Sequence, residues 1–418
     1  MANALLTSQV ITRMPLAVLK NNTVAIPQMT RDYDKEFGKK GDKIGDTVYV
    51  RKPARAIGRD GSGYAPESMI DTEVPISITQ QSGVDFQFST AEKKLSLDEM
   101  SKRYLIPYGI AIANKLDLRT LQMAQQNTFN FVGTPGVTPG LSGSNAFLTW
   151  MQAGAFLDIM GFPLKGGSRC AFMNPDGRVG WVSYNSALFN NQTELGEQWK
   201  TGQVMGNPLG YKWWIDQNMP TQTIGTLGGT PTANGANQTG TSILTTGWTA
   251  SVTNVLNVGD KISFAGVYSV NPQSRLSTGK LANFTIQAAA SSDGSGNATL
   301  TIYPAIVPSG QFQNVTNSPS VNALINVFGA AAAGQGALSA LPTVQNMLWD
   351  KTAFAFVSFP GDVPDGVDMG DEERDEDTGV SMRFVRQFIG GTDQWINRFD
   401  VYYGYGPLYA EGSVVICG

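Results

Sequence analysis

The chain contains no histidine. That removes Ser-His-Asp and Cys-His catalysis, imidazole zinc sites and the usual general base near neutral pH. Carboxylate, lysine and tyrosine chemistry remain open. Two cysteines, Cys170 and Cys417, are too few for a disulfide framework or an all-cysteine zinc site. They read as buried thiols in a reducing compartment. The one dense charge cluster is Asp371-Glu372-Glu373-Arg374-Asp375-Glu376-Asp377. It fails the EF-hand spacing, because the glycine and the alternating oxygen ligands are misplaced. Its first reading is a solvated loop that repels itself and stays extended. Its second is a contact with a basic loop on a neighbouring subunit, and Arg51, Lys52, Arg55 and Arg59 form a matching basic set. That set has no aromatic platform for nucleic acid, so an acidic surface of a neighbour is its expected partner. Gly279-Lys280 precedes Leu281, where a phosphate loop needs Ser or Thr, and Gly61-x-Gly63 lacks a strand-turn-helix setting. Trp395, Phe399, Tyr402, Tyr403, Tyr405 and Tyr409 could offer a sugar platform, but alternation within 398–403 favours strand packing. No catalytic, cofactor-binding or metal-ligating set emerges, and the expectation is a protein that is not an enzyme.

The elements that would position these groups belong to a chain of 418 residues, long enough for two or three domains. Hydrophobic residues supply 41% and charged residues 15%, against about 25% charged in an average soluble domain. With 47 Gly and 21 Pro the chain is rich in turns. The formal charge of −4 argues against a protein that neutralises phosphates. No stretch approaches the roughly 20 apolar residues of a membrane span, and residues 1–18 lack a secretory apolar core. A soluble protein made in a cytoplasm, with no membrane partner, is expected.

Residues 1 to about 40 hold scattered apolar residues with Pro15 and Pro27 as breakers, and read as an extended arm with one or two helical turns. Alternation over 47–51 and 74–79 predicts two strands joined by a long glycine-rich tip. A two-stranded loop is barely stable alone and must lie on its own body or on a neighbour. A third alternating run spans 84–88. Ser96-Leu97-Asp98-Glu99 is a capping box that opens a first helix, expected to stop near Ile106, the residue before a proline, and Pro107 suits the first turn of a second, longer helix to about Asn127. Ile106, Ile110, Ile112, Ala113, Leu116, Leu121, Met123 and Ala124 fill its apolar arc. Asn114, Lys115, Arg119, Gln122, Gln125 and Gln126 fill most of the other. Asp117 falls inside the apolar arc and reads as a salt-bridged or capping carboxylate. Residues 146–160 are helical in period, 169–173 a buried strand, and 174–177 a turn or helix entry. From Pro220 to about 342 the chain is nearly uncharged, with short β runs at 242–244, 261–264, 284–286 and 298–302 separated by turns, as in a small antiparallel barrel. Strands at 353–357, 380–389, 396–403 and 414–417 close the chain.

One segment is specific. Gly259-Asp260-Lys261-Ile262-Ser263-Phe264-Ala265-Gly266-Val267 resembles a run in the coat proteins of the Salmonella phage P22 type, where it lies in an inserted β-barrel. Asn346-Met347-Leu348-Trp349 with residues 353–360 is similar to the strand after that insertion. Asp400-Val401-Tyr402-Tyr403-Gly404 followed by residues 411–416 resembles the tail of many phage capsid proteins. The resemblance implies an α+β protein of the Hong Kong 97 capsid fold with an inserted antiparallel β-barrel. It implies an N-terminal arm (1–45), an E-loop hairpin (46–80), a peripheral domain with a spine helix (81–144), and an axial domain in two parts (145–220 and 346–395). The barrel would span 221–345, and C-terminal strands (396–418) would return to the peripheral domain. The implied function is a non-catalytic major capsid protein that self-assembles, as hexamers and pentamers, into an icosahedral shell around double-stranded DNA. The implied partners are its own copies, a scaffolding protein, a portal and the packaged DNA, with assembly in a bacterial cytoplasm. The basic set and Asp371, Glu372, Glu373, Asp375, Glu376 and Asp377 are then expected at subunit contacts. A β-rich virion protein that binds carbohydrate is the alternative from another class, and a carboxylate hydrolase a third.

Overall fold

The structure, a computed structural model, describes residues 8–31, 47–52, 55–56, 61–63, 72–89, 101–141, 144–162, 164, 168–185, 208–329, 342–391 and 394–417. Its first elements are α1 (Ser8–Asn22), β1 (Thr47–Lys52), β2 (Thr72–Ser77), β3 (Gln80–Ser89), α2 (Ile106–Asn127) and β4 (Asn130–Gly133). Next come α3 (Ala146–Ile159), β5 (Arg169–Met173), α4 (Pro175–Asn185), β6 (Lys212–Ile215) and β7 (Thr221–Gln222). Then follow β8 (Gly229–Ala233), β9 (Gly240–Trp248), β10 (Lys261–Val270), β11 (Ser277–Ile286), β12 (Ala298–Ile306) and β13 (Ile325–Val327). The last are β14 (Thr343–Asp350), β15 (Phe354–Phe359), β16 (Met369–Arg374), β17 (Ser381–Ile389), β18 (Gln394–Pro407) and β19 (Ser413–Cys417). The architecture is α+β, and the chain divides into two compact units. The capping box at 96–99 lies outside the described residues, as do Arg59 and Trp199.

One unit comprises Met1–Arg51, Glu73–Leu121 and Phe354–Leu408. Its sheet is built on β18. Strand β3 pairs along one edge of it, from Gln394↔Ser89 to Tyr403↔Gln80. On the other edge β17 pairs with residues 394–400 and β15 with residues 402–407. Strand β16 adds to β17, all antiparallel. Both faces of β18 are covered over 399–403: Phe399, Val401 and Tyr403 are buried on one, Asp400 and Tyr402 on the other. The acidic run is therefore not a solvated loop over 369–374. Its pairing partner, β17, supplies the ladder that fixes an extended strand there, despite the like charges.

Residues 8–22 are helical rather than extended. Ile11, Thr12, Pro15, Leu16 and Leu19 are buried at the spacing of one helical stripe. That stripe packs on β16 and β17. Pro15 costs α1 one backbone hydrogen bond, and burial of the stripe outweighs it. Gly109 of α2 makes the close approach possible, since a Cβ there would stand 2.9 Å from the Pro15 carbonyl oxygen. After α1, the backbone N–H groups of Val24 and Ala25 donate to the Asp117 carboxylate at 2.8 and 3.2 Å. Thr30 then bridges to β15, its N–H donating to the Phe354 carbonyl.

Asp117 is thus the capping carboxylate of a remote segment. It also shows why the apolar arc of α2 needs correcting. Ile112, Ala113, Leu116 and Leu121 are buried as expected, but Ile106 and Ile110 are 36% and 38% exposed. The buried face is centred on Gly109 and Asp117, a small and a charged residue, because backbone of the N-terminal segment comes in against them. Gln125, expected among the polar positions, is also buried.

The other unit comprises Lys52–Thr72, Gln122–Ala353 and Tyr409–Gly418. One of its sheets has the order β4-β19-β14-β5-β6, with β7 also on β14. The β4–β19 and β5–β6 pairs are parallel and the rest antiparallel. Trp150, Ala153 and Leu157 of α3 share its core with Met173, Leu348, Val414 and Ile416. The Asn145 side chain caps α3 by accepting from the Leu148 N–H at 2.9 Å. Asn174 does the same for α4 through the Gly177 N–H at 2.8 Å, the helix entry read from the sequence. Buried Arg169 donates to the Asp158 carboxylate and the Phe162 carbonyl past the end of α3. The second sheet is antiparallel, ordered β13-β10-β11-β12-β9-β8, around a core that includes Ile262, Phe264, Phe284, Ile286, Leu300 and Ile302. Its two ends meet where Thr232 of β8 bridges Leu324, one residue before β13.

Leu121 of α2 is fully buried, whereas Lys115 is exposed. Leu121→Ala should cost about 2–5 kcal/mol of folding stability, and Lys115→Glu no more than about 0.5 kcal/mol. Urea unfolding of the two variants would show this, and equal losses would place Lys115 in a packed environment.

Candidate functional site

Among the described residues no group of three or more His, Cys, Asp or Glu could hold a metal ion. No described helix is long and apolar enough to cross a membrane. The candidate surfaces are therefore the two charged sets. Arg51, on β1, is exposed, with its Nε 3.1 Å from the Glu73 carboxylate on β2. Arg51 and Tyr49 share the exposed face of β1, and Val50 between them is buried. Lys52 lies with Nζ 5.0 Å from the centre of the Tyr409 ring. Burial lowers its pKa, an effect that Glu411 opposes and Arg55 assists. Arg55 forms an ion pair with Glu411 inside the same unit. Burial and these pairs commit Lys52 and Arg55 within their own chain.

The acidic set is divided by the strand geometry. Asp371 and Glu373 share one face of β16, and Glu372 lies on the other. On the first face Arg13 of α1 places its Nε 3.0 Å from the Glu373 carboxylate, and the Thr12 hydroxyl donates to Asp371. Burial nevertheless raises the Asp371 pKa, and the Glu373 charge adds to the effect. Beyond the strand, Lys20 pairs with Asp377 and, at 3.4 Å, with Asp375. Burial pushes the Asp375 carboxyl up, but hydrogen bonds from the Thr378 side chain and backbone and from Lys20 outweigh it, so its pKa falls below the ordinary carboxylate value. Asp377 and then Asp375 raise the Lys20 pKa in turn. Glu372 and Glu376 are exposed.

Tyr409 lines a cavity with Phe162, Thr352 and Glu411, whereas most of the other aromatic residues at the C-terminal end pack. Phe399, Tyr402 and Tyr403 are buried, and the Tyr403 hydroxyl lies 3.0 Å from that of Ser82. Trp395 pairs with Phe388 at 5.0 Å between ring centres, under the Arg386 guanidinium at 4.8 Å. Both cysteines are buried free thiols. Burial pushes Cys170 up to about 11 and Cys417 up to about 12, so both stay protonated near neutral pH. Sequence reasoning missed two polar arrangements. Asp400 is buried between Arg383 at 2.7 Å and Arg398 at 2.8 Å. Asp260 and Lys261 are both buried at the start of β10. The period-two pattern of 261–264 shows which face Lys261 takes, but not that this face too is covered.

Residues 43–412 match the family described as "P22 coat protein - gene protein 5". No curated protein matches the sequence. Among solved structures, one from Mycobacterium phage Che8 is similar at 13% identity and TM-score 0.47, over 94% of this chain and 90% of that one. The mature capsid of bacteriophage PhiM1 is similar at 9% identity and TM-score 0.43, over 90% and 82%. The capsid of the Myoviridae phage XM1 is similar at 8% identity and TM-score 0.38, over 96% and 90%. The family match spans both charged sets and all but the ends of the chain, and it accounts for a protein whose prominent charges hold elements together instead of doing chemistry: the chain belongs to the P22 coat protein family, as a structural, non-enzymatic major capsid protein that forms a phage shell.

Proposed function

We propose that this capsid protein assembles as hexamers and pentamers of an icosahedral, Hong Kong 97-type shell around double-stranded DNA. A scaffolding protein directs the assembly, a portal joins it, and the host bacterial cytoplasm is where it takes place. The observation that carries this reading is the β1–β2 hairpin. It is a sheet of two strands whose one face, with Val50 and Ile76, is buried, while the other presents Tyr49, 61% exposed; two strands alone are marginal in water. A neighbouring copy covers the Tyr49 face. In this reading 1–45 is the arm, 46–80 the E-loop, 81–144 the peripheral domain, and 145–220 with 346–395 the axial domain. Residues 221–345 are an inserted barrel and 396–418 the returning strands. The formal charge of −4 keeps the wall from binding packaged DNA tightly.

The ten charged residues take different parts in these contacts. Arg51, Arg59, Glu372 and Glu376 are the subunit contacts proper. Glu373, Asp375 and Asp377 act through α1, which they seat on the sheet of their own chain. Asp371 helps to seat it through Thr12, and Lys52 and Arg55 are engaged by Tyr409 and Glu411 of their own unit.

Electron microscopy of the full chain, co-expressed with a phage scaffolding protein, should show closed shells. Small soluble trimers that bind sugar would overturn the reading. Changing Glu372 and Glu376 together to Lys should leave urea stability within about 0.5 kcal/mol per site while lowering shell yield several-fold. Unchanged yield would remove these residues from the contact.

The seat of α1 has its own test. Lys20→Glu sets a third negative charge against Asp375 and Asp377, and should speed trypsin cleavage after Arg13 several-fold in the unassembled subunit. An unchanged cleavage rate would show that the apolar stripe alone holds the helix.

A further inference from the structure

Lys261 is 3% exposed, in the first position of β10. Its ammonium nitrogen donates to the Gln125 backbone carbonyl at 2.8 Å and to the Thr285 hydroxyl at 3.0 Å. Gln125 lies in the last turn of α2, where backbone carbonyls have no partner within the helix. The next carbonyl, of Gln126, accepts from the Thr285 hydroxyl at 3.2 Å and from the Gln287 side-chain amide at 3.1 Å. The six-stranded sheet therefore caps the C-terminus of α2 with its own side chains, and all of these groups lie in one unit.

Two titratable groups face Lys261, Asp260 and Cys417. The Asp260 carboxylate is already occupied. It accepts from the Gln222 side chain at 2.8 Å, from the Gly225 N–H at 3.0 Å and from the Asn257 N–H at 2.8 Å. Among the described residues no carboxylate forms an ion pair with Lys261. Two hydrogen bonds and the nearby Asp260 offset only part of what a buried ammonium in that position loses on leaving water. A neutral amine keeps both donated hydrogen bonds without that loss.

We propose that Lys261 is a proton-sensitive latch between the last turn of α2 and the six-stranded sheet: the neutral amine holds the two together, and uptake of a proton loosens the junction. Burial pulls Lys261 down from 10.5 to about 7, which puts the change close to neutral pH. A lysine released by opening regains its ordinary pKa. Between pH 7 and 10.5 the open state therefore binds a proton that the closed state lacks, and closure gains with rising pH. Below 7 both states carry the proton and the dependence levels off. Cys417 works in the opposite direction, because its raised pKa penalises closure only as pH climbs past 9.

Hydrogen exchange of the unassembled full-length subunit tests the latch without reference to the shell. The amides to follow are those of Ile286 and Phe328, which donate to the Asp260 and Lys261 carbonyls. After correction for intrinsic rates, their protection should rise by about tenfold from pH 7 to 8.5 and stay nearly flat from 6 to 6.5. In Lys261→Met the rise should vanish. Thr285→Val keeps the amine and removes one acceptor, which disfavours the charged form further, so its rise should begin at lower pH. This second variant carries the test if Lys261→Met does not fold. Flat protection in the wild type, or an unaltered rise in either folded variant, would overturn the proposal.

Discussion

A charge taken out of water must be given back the hydrogen bonds it loses, and this constraint decides where distant parts of the chain meet. Asp117 recovers them from the N–H groups of Val24 and Ala25. Asp400 recovers them from Arg383 and Arg398, and Asp260 from residues 222, 225 and 257. Each carboxylate ties together segments that hydrophobic pattern alone would leave free to shift by a residue. Losing a hydrogen bond to a charged group costs about 1.5–3 kcal/mol, and breaking a buried ion pair such as that of Asp400 about 3–5 kcal/mol. The exposed pairs of α1 are of another kind. Arg13 and Glu373 meet in water, where an ion pair contributes about 0–1 kcal/mol.

That contrast suits a shell protein. The segment after α1 is held by buried hydrogen bonds to Asp117 and by the bridge at Thr30. Helix α1 before it rests on an apolar stripe and surface charges. The stripe is the larger part of the seat of α1, since each buried aliphatic side chain contributes about 1.5–3 kcal/mol and each exposed ion pair about 0–1 kcal/mol.

Most of the strands and long helices were legible because their cause is local. Alternation over 84–88 and 398–403, the proline at 107, the helical period over 146–160 and the helix entry at 174–177 act within a few residues. What escaped depends on partners far along the chain. Pro15 and Pro27 marked the N-terminal residues as irregular, yet the stripe from Ile11 to Leu19 becomes visible once β16 and β17 are there to receive it. The acidic run reads as a loop from its own charges and becomes a strand through its ladder with residues 381–386. Ile106 and Ile110 looked like core because the face was centred on apolar residues, whereas Gly109 and Asp117 mark its centre. Of the charged sets, composition marked where the charges lie along the chain and missed that four of the six acidic residues are engaged within it.

The meeting of Thr232 with Leu324 has a further consequence. A strand at the rim of a sheet offers a row of unused N–H and C=O groups, and these pair readily with the same row on another molecule. Here the Ala233 N–H donates to the Ala323 carbonyl at 2.9 Å, and the Asn322 N–H donates to the Ala233 carbonyl at 3.0 Å. The two outermost strands of the six-stranded sheet thus spend part of their bonding capacity on each other. A coat protein is synthesised in many identical copies at once, the condition under which rim-to-rim pairing grows into fibrils. Curling the sheet onto itself withholds that template, so that crowding favours the ordered contacts of a closed particle over open-ended aggregation.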